Sequence, residues 1–376
     1  MQVLVVGGAG FIGSHLVRAL IAREYKVLVL DALTRQIHGS IPSHSNLPPQ
    51  VHFIHGDVQF HDLSRVVAEV DAVVHLAAET GVSQSMYQVE RYVNVNQGGT
   101  ARLLQALLDR AHPVQRFVLA SSRAVYGEGA YRCARCGIVY PPPRRKIGKG
   151  AWDPACPSCQ SAIEAIPTHE DTPARPTSIY AITKHNQEQL CFTIGDTYGL
   201  RPVALRYFNV YGPGQSLSNP YTGILSSFFV RFKAGMPVDV YEDGHEQRDF
   251  VYISDVVDAT VRALEAPGET ISRQVFNVGS GHAISILELA HLLRELMGSS
   301  SPINITFAFR SGDVRHAIAD TRVAERVLGF KARVGLAEGL SRWLRWAQSI
   351  HVTDRTTQAR NELAQRGLYR SAQESI

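Results

Sequence analysis

The chain begins Met1-Gln2-Val3-Leu4-Val5-Val6-Gly7-Gly8-Ala9-Gly10-Phe11-Ile12-Gly13-Ser14-His15-Leu16-Val17, and this stretch decides the fold. The apolar run 2–6 has the length of a buried strand, and the apolar spacing over 12–23 is that of an amphipathic helix. Between them Gly7, Gly10 and Gly13 form GxxGxxG at a strand-to-helix turn. Glycines allow the turn to be tight, and the free N–H groups of a helix N-terminus accept a pyrophosphate. Gly7, Gly10, Phe11, Ile12 and Gly13 are therefore expected to cradle a dinucleotide.

Working outward, apolar runs at 26–30, 51–54, 72–76, 116–120 and 203–207 alternate with helical periodicity at 62–69, 96–110 and 179–198. That βαβ rhythm predicts an α/β fold: a Rossmann-type, doubly wound parallel sheet covered on both faces. The second strand ends in Asp31, whose carboxylate can accept from both hydroxyls of an adenosine ribose and repels a 2′-phosphate. NAD is expected over NADP, although Arg35 pulls the other way. Asp57 and Val58 follow the third strand and are placed to hold the adenine. Leu76, Ala77 and Ala78 close the fourth strand beside the cofactor. The reading divides the chain into an NAD-binding domain over 1–210, a smaller, mainly substrate-binding domain over 211–350 and a polar tail over 351–376 with no assigned role.

With 45% hydrophobic and 19% charged residues among 376, and a formal charge of only +4 without long charged runs, the chain is expected to be globular, binding neither nucleic acid nor membrane. No apolar stretch reaches the roughly 18 residues of a membrane span. The N-terminus runs straight into the first strand without a basic region, signal core or cleavage site, so the cytoplasm is expected.

The rhythm breaks at 129–168, an insertion rich in Pro, Arg, Gly and Cys. Cys133-Ala134-Arg135-Cys136 and Cys156-Pro157-Ser158-Cys159 have the spacing of a zinc ribbon, in which two tight knuckles supply four thiolates to a closed tetrahedral ion. Cys133, Cys136, Cys156 and Cys159 are expected to hold structural zinc; an iron site or two redox pairs are the alternatives. Cys191 is left to pack within a helix.

Tyr180-Ala181-Ile182-Thr183-Lys184 puts a phenol and an ammonium at i and i+4 on one helix face. A lysine there favours the phenolate and brings its pKa down from about 10 toward a working value. Together with the glycine turn, this pair resembles the short-chain dehydrogenase/reductase superfamily. The order of Asn96–Thr100, Ser121–Gly127, Arg206–Pro213, Arg248–Asp255, Phe276–Ser280 and Gly312–Arg315 resembles its extended, nucleotide-sugar branch, the NAD-dependent epimerase/dehydratase family. The resemblance implies that Ser122, four residues before Tyr126, bonds the sugar hydroxyl being oxidised, that Tyr180 is the base and that Lys184 supports it. It implies Asn96 and Tyr207 at the cofactor, Ser83 and Asn209 at the sugar nucleotide, and Arg248 and Arg315 on its diphosphate, which suits guanidinium geometry. Similar proteins are commonly homodimers through the helices near 97–110 and 178–195, and the same is expected here.

The residues after the catalytic serine separate reactions in this family. Dehydratases carry Asp-Glu there, because eliminating water takes an extra acid and an extra base. Here Arg123 and Ala124 stand instead, which disfavours dehydration and, for want of a Glu, decarboxylation. Arg123 could contact a phosphate, a sugar hydroxyl or a nearby acid. What remains is a 4-epimerase that oxidises C4 and returns hydride to the opposite face, with NAD retained and regenerated. The four-cysteine insertion combined with Ser121–Glu128 resembles the dTDP-L-rhamnose 4-epimerase group, which forms dTDP-6-deoxy-L-talose. Other sugars, as in UDP-hexose or UDP-uronate 4-epimerases, a one-way 4-ketoreductase or decarboxylase, and a regulator that binds NAD and docks a partner through its cysteines are the rival readings.

Overall fold

Val3 and Val5 join the apolar cluster on one side of the first strand, Leu4 and Val6 the cluster on the other, and all four are sealed from solvent. A strand buried on both faces belongs in a parallel sheet. In the computed structural model, which describes all residues except 40–43, 45, 111–113, 115, 145–150, 220, 222 and 371–376, that sheet has seven strands. In chain order these are β1 (Gln2–Val6), β2 (Lys26–Asp31), β3 (His52–His55), β4 (Ala72–His75), β5 (Arg116–Ser122), β6 (Pro202–Tyr207) and β7 (Val275–Val278). Their spatial order is β7-β6-β5-β4-β1-β2-β3, and every pairing is parallel. Val6 lies level with Leu30 of β2 and His75 of β4, so the chain reverses direction across the sheet at the carboxyl ends of β1 and β4. A crevice opens there in doubly wound sheets.

Leu16, Val17 and Leu20 of the helix Phe11–Ile21 cover one face, together with Val256, Ala259 and Ala263 of the helix Ile253–Glu265. Val66, Leu103, Leu107 and Cys191 cover the other, from the helices Leu63–Val67, Gly99–Leu108 and Ile179–Tyr198. A π-turn, Val93–Gly98, leads into the helix at Gly99. Such turns are rare and concentrate at functional sites.

The segment after 210 shares strands and core with the part before it. It returns β7 and the helix Ile253–Glu265 to the main sheet, and one apolar cluster runs without a break from Val5 through Phe229, Val238 and Leu289 to Trp343.

The insertion folds as a small three-stranded sheet of its own, Gly137–Val139 and Glu164–Ala165 flanking Tyr131–Cys133 antiparallel. An arm reaches from it into the body of the protein. Arg144 donates to Glu128 Oε1 at 3.0 Å, to both carboxylate oxygens of Glu242 at 2.9 and 3.0 Å, and to the carbonyls of Trp152 and Asp313.

The described part of the tail, up to Arg370, is structured as well. Thr356–Gln365 is helical and Tyr369–Arg370 pairs antiparallel with Phe309–Arg310. Arg360 donates to Asp239 at 2.9 Å, and the Tyr221 hydroxyl donates to Glu362. Among the described residues no helix is long and apolar enough to cross a membrane.

Candidate active site

The glycine turn is as tight as its sequence demands. A Cβ at Gly13 would stand 2.4 Å from the Gly7 carbonyl oxygen and 2.6 Å from the Gly8 Cα, and Gly7 itself adopts φ +84°. Any side chain at Gly13 would push the helix off the turn. Asp31 reinforces the arrangement from β2, accepting from Ala9 N at 2.9 Å and from Leu33 N at 2.8 Å.

From this turn a cavity of about 660 Å³ extends along the carboxyl ends of the strands. Gly7, Gly10, Phe11, Ile12, Gly13, Asp31, Asp57, Val58, Leu76, Ala77 and Ala78 line its first half, and Ser122, Arg123, Tyr180, Lys184, Tyr207 and Asn209 its second. Residues far apart in sequence are brought to one wall because β5, β6 and the start of the helix at 179 end beside one another. Ser178 caps that helix by accepting from Ala181 N at 3.1 Å, which fixes Tyr180 in its first turn. Tyr180 meets Tyr92 edge to face, with centroids 6.5 Å apart.

The electrostatics of the second half follow from burial. Desolvation pushes the Tyr180 phenol above its ordinary range, while the neighbouring Ser122 hydroxyl and the charge of Arg123 pull it back. Burial lowers the Lys184 ammonium to about 8 against the attraction of Glu188, and its Nζ donates to the Ala120 carbonyl at 2.9 Å. Glu188 is held well below the usual carboxylate range despite its burial, because Arg206 grips it with two bonds at 2.7 and 2.9 Å. Arg206 therefore braces the helix from behind.

Four expected contact residues lie elsewhere. Asn96 is fully buried behind the cavity, where it accepts from Glu79 N at 2.8 Å and donates to Thr183 Oγ1 at 2.9 Å. It aligns the wall, and the residue of its π-turn that lines the cavity is Val95. Ser83 is buried in the short helix Val82–Ser85, and Val82 takes the lining position. Arg248 spends its guanidinium on the carbonyls of Gln247, Val314 and Arg315 at 2.8 to 3.0 Å. Arg315 corrects the sequence expectation most clearly. Its side chain is buried outside the cavity lining, and four of its five N–H groups are taken by Asp153 at 2.7 Å, Asp243 at 2.7 and 2.9 Å and Glu242 at 2.9 Å, so its guanidinium is committed to carboxylates and not presented to the cavity.

The cavity also uses residues that sequence reasoning missed. Thr34, Gln36, His38 and Asn46 close the end beside Asp31, and Gln215 and Tyr221 close the far side. Asn46 is positioned by donating to the Ala9 carbonyl at 3.1 Å. The turn-rich run 212–223 is the one signal that could have pointed to Tyr221.

In the insertion, the sulfurs of Cys133, Cys136, Cys156 and Cys159 all lie within 4.8 Å of one another, and the Cys133–Cys159 pair is 3.5 Å apart. Four sulfurs bound tetrahedrally at about 2.3 Å to one ion would sit about 3.8 Å apart.

Residues 3–145 and 155–279 match the NAD dependent epimerase/dehydratase family. The chain is similar to a dTDP-L-rhamnose 4-epimerase of Burkholderia thailandensis, 38% identical across 92% of this chain and 94% of that one. It is also 32% identical to a dTDP-glucose 4,6-dehydratase of Streptomyces niveus, over 92% of each chain. Among solved structures, the UDP-glucuronic acid 4-epimerase of Bacillus cereus, in complex with UDP-glucuronic acid and NAD, superposes with a TM-score of 0.76. That pair is 29% identical and aligns over 93% of this chain and 100% of that one.

Proposed function

The chain belongs to the NAD-dependent epimerase/dehydratase family, and from that premise we propose that it is a 4-epimerase acting on a dTDP-6-deoxyhexose, interconverting dTDP-L-rhamnose and dTDP-6-deoxy-L-talose. It is an NAD-dependent enzyme of nucleotide sugars. The observation that carries the choice of reaction is the pair Arg123-Ala124 beside Ser122. Identity alone does not separate epimerase from dehydratase, since named relatives of both kinds match nearly the whole chain. A guanidinium and a methyl group cannot supply the acid and base that elimination of water requires. The relative named for dTDP-L-rhamnose supports the sugar.

The residues present fit the cofactor. The glycine turn admits a pyrophosphate where a Cβ would collide with backbone, and Asp31 stands at the end of β2. Bound there, NAD would supply the hydride acceptor and donor for the sugar carbon. Ser122 holds the C4 hydroxyl, and Tyr180 takes its proton and later gives it back. Lys184 sustains the charge around that transfer, and Asn209 and Tyr207 flank the sugar end. The reading includes a cytoplasmic site of action. It also includes a homodimer through the helices Gly99–Leu108 and Ile179–Tyr198, the second of which exposes Ile182.

The test is incubation of the purified protein, without added cofactor, with dTDP-L-rhamnose and separately with UDP-glucose, followed by proton NMR of the C4 configuration. Inversion of dTDP-L-rhamnose supports the proposal. Turnover of UDP-glucose alone reassigns the sugar, a need for NADH in each turnover points to a 4-ketoreductase, and inactivity with NAD⁺ supplied sinks the reading.

The cysteine cage extends the proposal: Cys133, Cys136, Cys156 and Cys159 hold a structural zinc, supported by sulfur separations suited to a tetrahedral ion. Metal analysis of protein purified without chelator is expected to give zinc in stoichiometric amount, lost in Cys156→Ser. Iron in its place would reassign the metal, and a metal-free protein with four titratable thiols would remove the site.

A further inference from the structure

Arg123 is the residue whose role the sequence leaves open, and its surroundings narrow the choice. It begins the short turn Arg123–Tyr126, which Ser122 caps by accepting from Ala124 N at 3.2 Å, so its position is tied to the catalytic serine. It lines the cavity together with Ser122, Tyr180 and Lys184. Among the described residues its guanidinium makes neither a hydrogen bond nor an ion pair, whereas Arg144, Arg206, Arg248 and Arg315 are each engaged by several acceptors. A half-buried guanidinium with spare donors is costly, and the groups around it do little to offset that cost. The nearest charges are Arg248, which repels it, and Asp313 and Glu128, which attract it without bonding to it.

The cation that sequence logic assigns to Tyr180 is otherwise occupied. Lys184 donates to the Ala120 carbonyl and faces Glu188, which takes up part of its field. Tyr180 meets the Ser122 hydroxyl and the charge of Arg123 from the segment ending β5 and the Tyr92 ring from the helix Val89–Tyr92, while Lys184 of its own helix lines the same cavity. The Tyr92 phenol is pushed far above its ordinary range by burial and stays neutral. Among the described residues Arg123 is therefore the uncommitted positive charge on this wall.

We propose that Arg123 is a positioning residue that sets the ionisation of Tyr180, acting beside Lys184 as the cation that stabilises the phenolate. The inference rests on Tyr180 being the base in the epimerase reading. Burial lowers the Arg123 pKa to about 10, so it remains charged across the working pH range, with the charge of Tyr180 among the influences that hold it up. This gives the sequence departure a physical sense. Where a dehydratase has an acid, this protein has a fixed cation, which favours reversible proton transfer at one oxygen and offers no base for elimination.

The experiment is an ultraviolet difference titration of phenolate in the purified holoprotein, with the Tyr180→Phe signal subtracted, comparing native protein, Arg123→Lys and Arg123→Met. It reads ionisation without needing the right sugar, so its failure is separable from failure of the substrate assignment. The Tyr180 midpoint should rise by about one pH unit or more in Arg123→Met, the size expected when one neighbouring charge is lost. Arg123→Lys should stay near the native midpoint, and the pH profile of kcat should follow the same order. An unmoved midpoint in Arg123→Met overturns the proposal, and if KM then rises while the kcat profile stays in place, Arg123 is a substrate contact instead. A shift equally large in Arg123→Lys also overturns it, because charge would not be the cause.

Discussion

Tyr180→Phe is expected to lower kcat by about 100- to 10,000-fold, the range associated with loss of a positioned acid–base group. That corresponds to about 3–5 kcal/mol of transition-state stabilisation. The substitution removes one oxygen and leaves the ring, which keeps its edge-to-face contact with Tyr92 and its place in the first turn of a capped helix. Folding and NAD retention should therefore be unchanged, as read by unfolding midpoint and by the nucleotide released on denaturation. KM should move little, since Ser122 and Asn209 still line the sugar end of the cavity. The informative readout is the slow reduction of retained NAD by substrate, which should fall in parallel with turnover. A variant that keeps more than about a tenth of native kcat would remove Tyr180 from the role of base, because the Tyr207 hydroxyl in the same half of the cavity is taken up by Thr260.

What could be read from the sequence divides according to how local the cause is. The glycine turn was legible because Gly13 is crowded by the Gly7 carbonyl and by Gly8, all within the stretch Gly7–Gly13. The strands were legible because both faces of the sheet are buried, and their continuous apolar runs have no competing explanation. Tyr180 and Lys184 were legible as an i, i+4 pair. The fate of Arg315 was not, because its acceptors come from Asp153, Glu242 and Asp243, at least 72 residues away in sequence. A motif specifies that an arginine is present, and only the fold decides which carboxylates surround it. The tail was unreadable for a similar reason. Its helix buries only Ala359 and Leu363 among polar pairs such as Arg360–Asp239 and Glu362–Tyr221, an apolar repeat too short to find. Asn96 carried the right signal, yet its amide is directed to Glu79 and Thr183. The residue matters to the cavity through the wall it aligns.

The second large effect is expected at Arg144, outside the cavity lining. Its five N–H groups meet five acceptors, and the side chains of Arg144, Glu128 and Glu242 are each no more than 5% exposed. Replacing it by Ala leaves Glu242 with Arg315 but strands Glu128 Oε1, together with the carbonyls of Trp152 and Asp313. Removing one partner of a buried ion pair typically costs about 3–5 kcal/mol, mostly as the penalty on the charge left behind. Urea unfolding of Arg144→Ala should show a loss of that order, and Glu128→Gln in the same chain should recover part of it by removing the stranded charge. The comparison is decisive for how the insertion relates to the enzyme. If residues 129–168 were an appended module resting on the surface, Arg144 would behave as an exposed pair and its loss would cost less than about 1 kcal/mol. A large loss, partly recovered by Glu128→Gln, would mean that the four-cysteine segment is built into the same buried network that immobilises Arg315, so that order in the insertion and order in the adjoining 242–248 segment are one property.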